Sequence, residues 1–83
     1  MQPAIDPIDE ACSSIARSCG LTNRETDVLR LLARGRTSPF IQEELVLSRN
    51  TVKTHVRHIY TKLGVHSHQE LISKVEQRKA GLE

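Results

Sequence analysis

Between Ser48 and Gly64 the chain reads SRNTVKTHVRHIYTKLG, and its apolar residues recur at helical spacing. Val52, Val56, Ile59 and Leu63 make one stripe, with Asn50, Lys53, Thr54, Arg57 and Thr61 on the opposite side. The pattern predicts a helix from about Arg49 to Leu63, capped by Ser48 and stopped by Gly64. Its stripe should be buried, and Lys53, Thr54 and Arg57 exposed. Four more helices follow from caps and breakers. Asp6 before Pro7 is an N-cap with proline in the first turn. Ile8, Ala11, Cys12, Ile15 and Cys19 then share a face until Gly20 stops the helix. Thr22 and Glu25 form a capping box for a second helix, whose apolar face is Val28, Leu29, Leu31, Leu32 and Ala33 and whose stop is Gly35. Ser38-Pro39 repeats the cap-and-proline start for a short helix through Val46, with Ile41 and Leu45 inward. Ser67 and Glu70 make another capping box for a last helix carrying Leu71, Ile72 and Val75, fading by Arg78. No strand pattern competes. The expected fold is all-α: a small bundle of four core helices behind a short N-terminal leader helix. Residues 1–20 read as leader and linker, 21–78 as the helical domain and 79–83 as a frayed tail.

Composition changes this picture in one respect. With 83 residues and only Phe40 and Tyr60 as aromatics, the core must be small and aliphatic. The net charge of +2 says little, but its distribution says more. No Asp or Glu lies between Leu45 and Gln69, whereas Arg49, Lys53, Arg57 and Lys62 do. A helix that is apolar on one side and basic on the other, in an acid-free segment, suits a polyanion. The DNA major groove is wide enough to admit it. Cys12 and Cys19 sit two helical turns apart, too far to bridge, and read as small buried hydrophobes in a reducing compartment. No apolar run reaches the length of a membrane span and no signal peptide opens the chain, so the expected location is cytoplasmic, without membrane contact by this domain.

A short helix, a tight turn and a longer basic helix are the helix-turn-helix arrangement. Within it Lys53 and Arg57, one turn apart, are candidates for DNA contact, and an Arg can read guanine N7 and O6 in bidentate fashion. Ser48, Asn50 and Thr51 cluster at the amino end of the same helix, where capping is the bland role. Phosphate contact, helped by free N–H groups, is the functional one. His58 is a candidate for phosphate contact when protonated. Thr22 and Arg24 have weaker claims, from helix-start position and charge. The four histidines do not make a metal site: His55 and His58 are three apart, but no carboxylate or zinc-spaced Cys accompanies them. No cofactor is expected. A nucleophile elbow, a glycine-rich phosphate loop and a carboxylate pair are all missing, so the chain does not read as an enzyme.

The segment LTNRETDVLRLLARGRTSPFIQEELVLSRNTVKTHVRHIYTKLGVHSHQELI closely resembles the LuxR-type helix-turn-helix domain of bacterial transcriptional regulators. LTxRExxVLxLLAxG and IxxxLxxSxxTVKxHxxxIxxKLGV occur in order and correctly spaced, from Leu21 to about Val75. The resemblance implies a transcription-regulating output domain whose recognition helix, about residues 49–63, enters the major groove, with Lys53, Thr54 and Arg57 reaching base edges. It also implies backbone contacts from Thr51 and Lys62, which match family positions of that kind, and a His55 packed against the short helix. Two departures stand out: Gln42 where the family mostly has Ala, and His68 where it usually has Arg. The SPFIxEELxxSRNTVKTHVxHIYxKLGVHS phrasing looks like a subgroup that places this domain behind a multi-helix membrane segment.

The leading function is therefore sequence-specific binding of double-stranded DNA by a dimer. The last helix, through Leu71, Ile72 and Val75, is expected to form a weak homodimer contact, with RNA polymerase as a further partner. Two alternatives remain: a sigma-factor-like domain inside RNA polymerase, and a helical protein-interaction module docking an acidic partner. Duplex binding with a steep salt dependence separates a phosphate binder from an interaction module.

Overall fold

A computed structural model describes residues 6–81. Among them are five α-helices and no strand: α1 (Pro7–Cys19), α2 (Asn23–Ala33), α3 (Ser38–Leu45), α4 (Arg49–Leu63) and α5 (His68–Gly81). Local chemistry sets most of the boundaries. Asp6 Oδ1 accepts the Ile8 N–H at 2.9 Å to start α1. Both halves of the Thr22/Glu25 box are made, at 3.1 and 3.0 Å. Gly35, at φ +79°, lets the chain close α2 by pairing the Arg36 N–H with the Leu31 carbonyl and its own N–H with that of Leu32. Ser48 Oγ accepts the Thr51 N–H at 3.1 Å to open α4.

Three boundaries differ from the sequence expectation. Thr37, not Ser38, is the N-cap of α3, and its side chain makes no capping bond. Ser38 is already helical, and its hydroxyl instead accepts the Gln42 side-chain amide at 3.3 Å. This is how Gln42 is accommodated: its side chain folds back one turn and remains only partly buried. At the start of α5, Ser67 Oγ accepts the Glu70 N–H, but the Glu70 carboxylate takes the His66 N–H, so the box is shifted by one residue. The same helix continues past Arg78 to Gly81. Arg78 donates to Ser14 Oγ at 2.7 Å, a tie to α1 that local sequence does not reveal.

The core draws on all five helices. Cys12 and Ile15 of α1, Val28 and Leu29 of α2, Ile41 of α3, Val52 and Ile59 of α4, and Leu71 and Val75 of α5 are all fully buried. The leader helix packs against α2 and α5 and shares this core. Across its surface Arg34 binds both Asp6 and Asp9, and Arg30 reaches Ser13 at 3.0 Å. Both cysteines are free thiols. Among the described residues no helix is long and apolar enough to cross a membrane.

Candidate nucleic-acid interface

The two faces of α4 separate much as the pattern implies. Val52, Ile59 and Leu63 are buried, whereas Val56 is only partly so, which corrects the expectation of a wholly buried stripe. Val56 lies at the edge of the seam, where it lines a groove of about 630 Å³ with Lys53, Arg57, Tyr60 and Val65. Lys53 and Arg57 are exposed, while Thr54 is partly buried rather than free. The structure adds Arg49 to them. It is exposed and shares a second depression with Lys53, Val56 and Ser38 of α3. Arg49, Lys53 and Arg57 are successive at four-residue spacing, so they form a single row on the helix surface. None of the three is in an ion pair among the described residues. The row is legible in the sequence as i, i+4, i+8, and the sequence pattern by itself points to its last two members, Lys53 and Arg57.

At the amino end of α4, Ser48, Asn50 and Thr51 are all exposed. Ser48 is committed to the cap, and its oxygen also lies 2.8 Å from the Thr51 hydroxyl. Asn50 keeps its side chain unengaged among the described residues. No acidic residue occupies this first turn, so the partial positive charge of the helix terminus is left uncompensated.

The other end of α4 is different. Lys62 Nζ sits 2.7 Å from Glu25 Oε1 and donates to the Gly20 carbonyl at 3.2 Å. His58 Nδ1 lies 3.3 Å from Glu25 Oε2. One carboxylate thus caps α2 and anchors the side chains of Lys62 and His58 on α4. Burial alone would raise the Glu25 pKa. The Lys62 hydrogen bond, the Thr22 N–H, the Lys62 charge and His58 together overcome it and hold the group at about 2. Sequence reading saw Glu25 only as a capping residue, because nothing local joins it to Lys62. Lys62 and His58 are therefore held against the protein by Glu25, although their outer edges remain accessible.

The remaining candidates are placed as follows. Thr22 and Arg24 are exposed at the start of α2, and Arg24 pairs with Asp27 at 3.4 Å. His55 is partly buried, with an Nδ1 that has no hydrogen-bond partner among the described residues. His68, one of the two family departures, places Nε2 2.7 Å from the Leu32 carbonyl, so it caps the end of α2 across the bundle. Among the described residues no cluster of three or more His, Cys, Asp or Glu could hold a metal. Of the residues expected at a dimer contact, Leu71 and Val75 are 0% and 1% exposed within a single protomer. Ile72 alone is partly open.

The model of the family described as "Bacterial regulatory proteins, luxR family" matches residues 19–75. An uncharacterized response regulatory protein, YgeK, of Escherichia coli K12 is 54% identical over 52 residues, 63% of this chain and 35% of that protein. The Fimbriae Z protein of Salmonella typhimurium is 50% identical over the same length, covering 25% of its own chain. The HTH-type transcriptional regulator MalT of Serratia proteamaculans is 40% identical over 63 residues, 76% of this chain and 7% of its own. The chain thus spans about a third or less of these relatives. No solved structure matches it.

Proposed function

The chain belongs to the luxR family of bacterial regulatory proteins and is a helix-turn-helix DNA-binding domain; we propose that α4 is its recognition helix and lies in the major groove. The observation that carries this reading is the row Arg49, Lys53 and Arg57, exposed and unpaired on the solvent face of α4. A protein that left three cations in one row with no acid nearby would gain little stability from them. Against a duplex, each phosphate neutralised releases counterions. In this reading Lys53, Thr54 and Arg57 reach base edges, and Arg49, Ser48, Asn50 and Thr51 hold the backbone at the amino end. His58 and Lys62 contact phosphate from the carboxyl end while sharing Glu25.

The domain serves as the output part of a longer regulator acting in the bacterial cytoplasm, as its similarity to response-regulatory and transcriptional-regulator proteins supports. Two copies bind adjacent half-sites about 34–36 Å apart. With Leu71 and Val75 used in the core, their contact is limited to Ile72 and the polar outer face of α5. An interface that small is weak without DNA. Titration of a labelled duplex at several salt concentrations tests the reading. The expected result is a linear log–log fall of about 0.9 per phosphate contacted. Failure to bind any duplex at low salt would overturn it in favour of a protein-interaction module.

A further inference from the structure

The carboxyl half of α4 is fastened to the start of α2 by one buried carboxylate, and the two oxygens of Glu25 are divided between its partners. Oε1 takes Lys62 Nζ at 2.7 Å and the Thr22 N–H at 3.0 Å. Oε2 faces His58 Nδ1 at 3.3 Å. From α1 the cluster receives the carbonyl of Gly20, which accepts from Lys62 at 3.2 Å. Neither α1 nor α3 brings a charged group into an ion pair with His58 or Lys62 among the described residues. Glu25 and Lys62 cancel each other's charge, so the net charge of the cluster is that of His58.

This geometry also decides which ring nitrogen of neutral His58 holds the hydrogen. A lone pair on Nδ1 would point at an anionic oxygen 3.3 Å away and be repelled. Nδ1 therefore carries the hydrogen, and Nε2 is left as an acceptor. The ring is half-exposed, beside the exposed Arg57. An acceptor gains nothing from a phosphate oxygen, which is itself an acceptor. Only a second proton makes Nε2 a donor and the ring a cation, a change that imidazoles undergo between about pH 5 and 8. Glu25 does not titrate there: against the effect of burial, Lys62, the Thr22 N–H and His58 hold its carboxyl at about 2. The charges of Arg49, Lys53, Arg57 and Lys62 are likewise constant over that range.

We propose that His58 is a proton-gated phosphate contact: because Glu25 occupies Nδ1, the outer nitrogen can donate to the DNA backbone only when the ring is protonated. The domain then takes up a proton as it binds a duplex, and its affinity is highest on the acid side and falls as pH rises. The inference rests on the DNA-binding reading above and adds a regulating variable to the same site. The other histidines lie outside the Glu25 cluster. His68 uses Nε2 on the Leu32 carbonyl, His55 is partly buried, and His66 is exposed beyond the end of α4.

The test is the affinity of this chain for a duplex selected from a random pool, titrated over a range of salt at about pH 5.5 and about pH 8. In the parent the log–log salt slope should be steeper at the lower pH by about 0.9, one further phosphate neutralised. Affinity at fixed salt should rise about threefold or more over the same interval. His58→Gln should show one slope at both pH values. His58→Arg, charged throughout, should show the steep slope at both. His66→Gln should behave as the parent does. A pH effect that is absent in the parent, persists in His58→Gln or disappears in His66→Gln would overturn the proton gate and leave the DNA-binding reading standing. So would a shallow slope at both pH values in His58→Arg. If the parent binds no duplex at either pH, even at low salt, both are overturned.

Discussion

Val46 and Glu25 are the residues at which single side chains matter most. At Val46 the backbone lies at φ 53° with a β-branched side chain that is 89% exposed. The left-handed conformation costs a non-glycine residue about 1–2 kcal/mol, and Asn tolerates it better. Val46→Asn should therefore stabilise the domain by about 0.5–1 kcal/mol, since no buried contact is lost. Denaturant titration checks this, and a lower midpoint would mean that Val46 packs against something in solution. At Glu25 the folded pKa of about 2 lies below the ordinary 4.5. A depressed carboxylate contributes stability that is complete above the unfolded value and is lost as pH falls through the folded one. The domain should therefore lose stability between about pH 4.5 and 2, and Glu25→Gln should flatten that loss. The flattening will be partial, because Arg34 and the Ile8 N–H also hold Asp6 below its ordinary value. Identical pH profiles for parent and variant would exclude the Glu25 network as a source of stability.

Helix by helix, α4 carries both the core and the candidate interface. Ile59 is fully buried and Val56 only partly. Ile59→Ala should cost about 2–5 kcal/mol, through lost burial and the cavity left behind. Val56→Ala should cost roughly 1 kcal/mol, at least twofold less, because its outer edge already meets water. Equal losses in thermal or chemical melts would show that the groove beside Val56 is closed in solution. This difference also shows what the chain discloses locally. The start of α1, the box at Thr22 and Glu25, and the span of α4 were legible because caps and periodicity act within four residues. Val56 differs from the pattern because a helical stripe fixes direction, while burial depends on which neighbour covers its edge. The end of α5 lies beyond the point the local pattern marks, and Arg78 there is held by Ser14, a partner far away in sequence. Glu25 looked like a cap alone for the same reason.

At the scale of the molecule, the five short helices among the described residues share one aliphatic core. Leu71 and Val75 read equally well in the sequence as core or as interface, since periodicity alone cannot tell an inner partner from an outer one. The packing of α1 over α2 and α5 assigns them to the core. What faces outward instead is charge, sorted by place. Glu25 neutralises the carboxyl end of α4, α3 carries unpaired acids on its far side, and the row Arg49, Lys53 and Arg57 stands free. Such sorting is the mark of a domain whose partner is a polyanion on one side only. The most direct measurement compares Lys53→Ala and Arg57→Ala with the parent on a selected duplex and on a scrambled one, across a range of salt. If α4 reads bases, at least one variant should lose about 1–3 kcal/mol on the selected duplex and much less on the scrambled one. Unchanged affinity for both duplexes in both variants would contradict the assignment of α4 as the recognition helix.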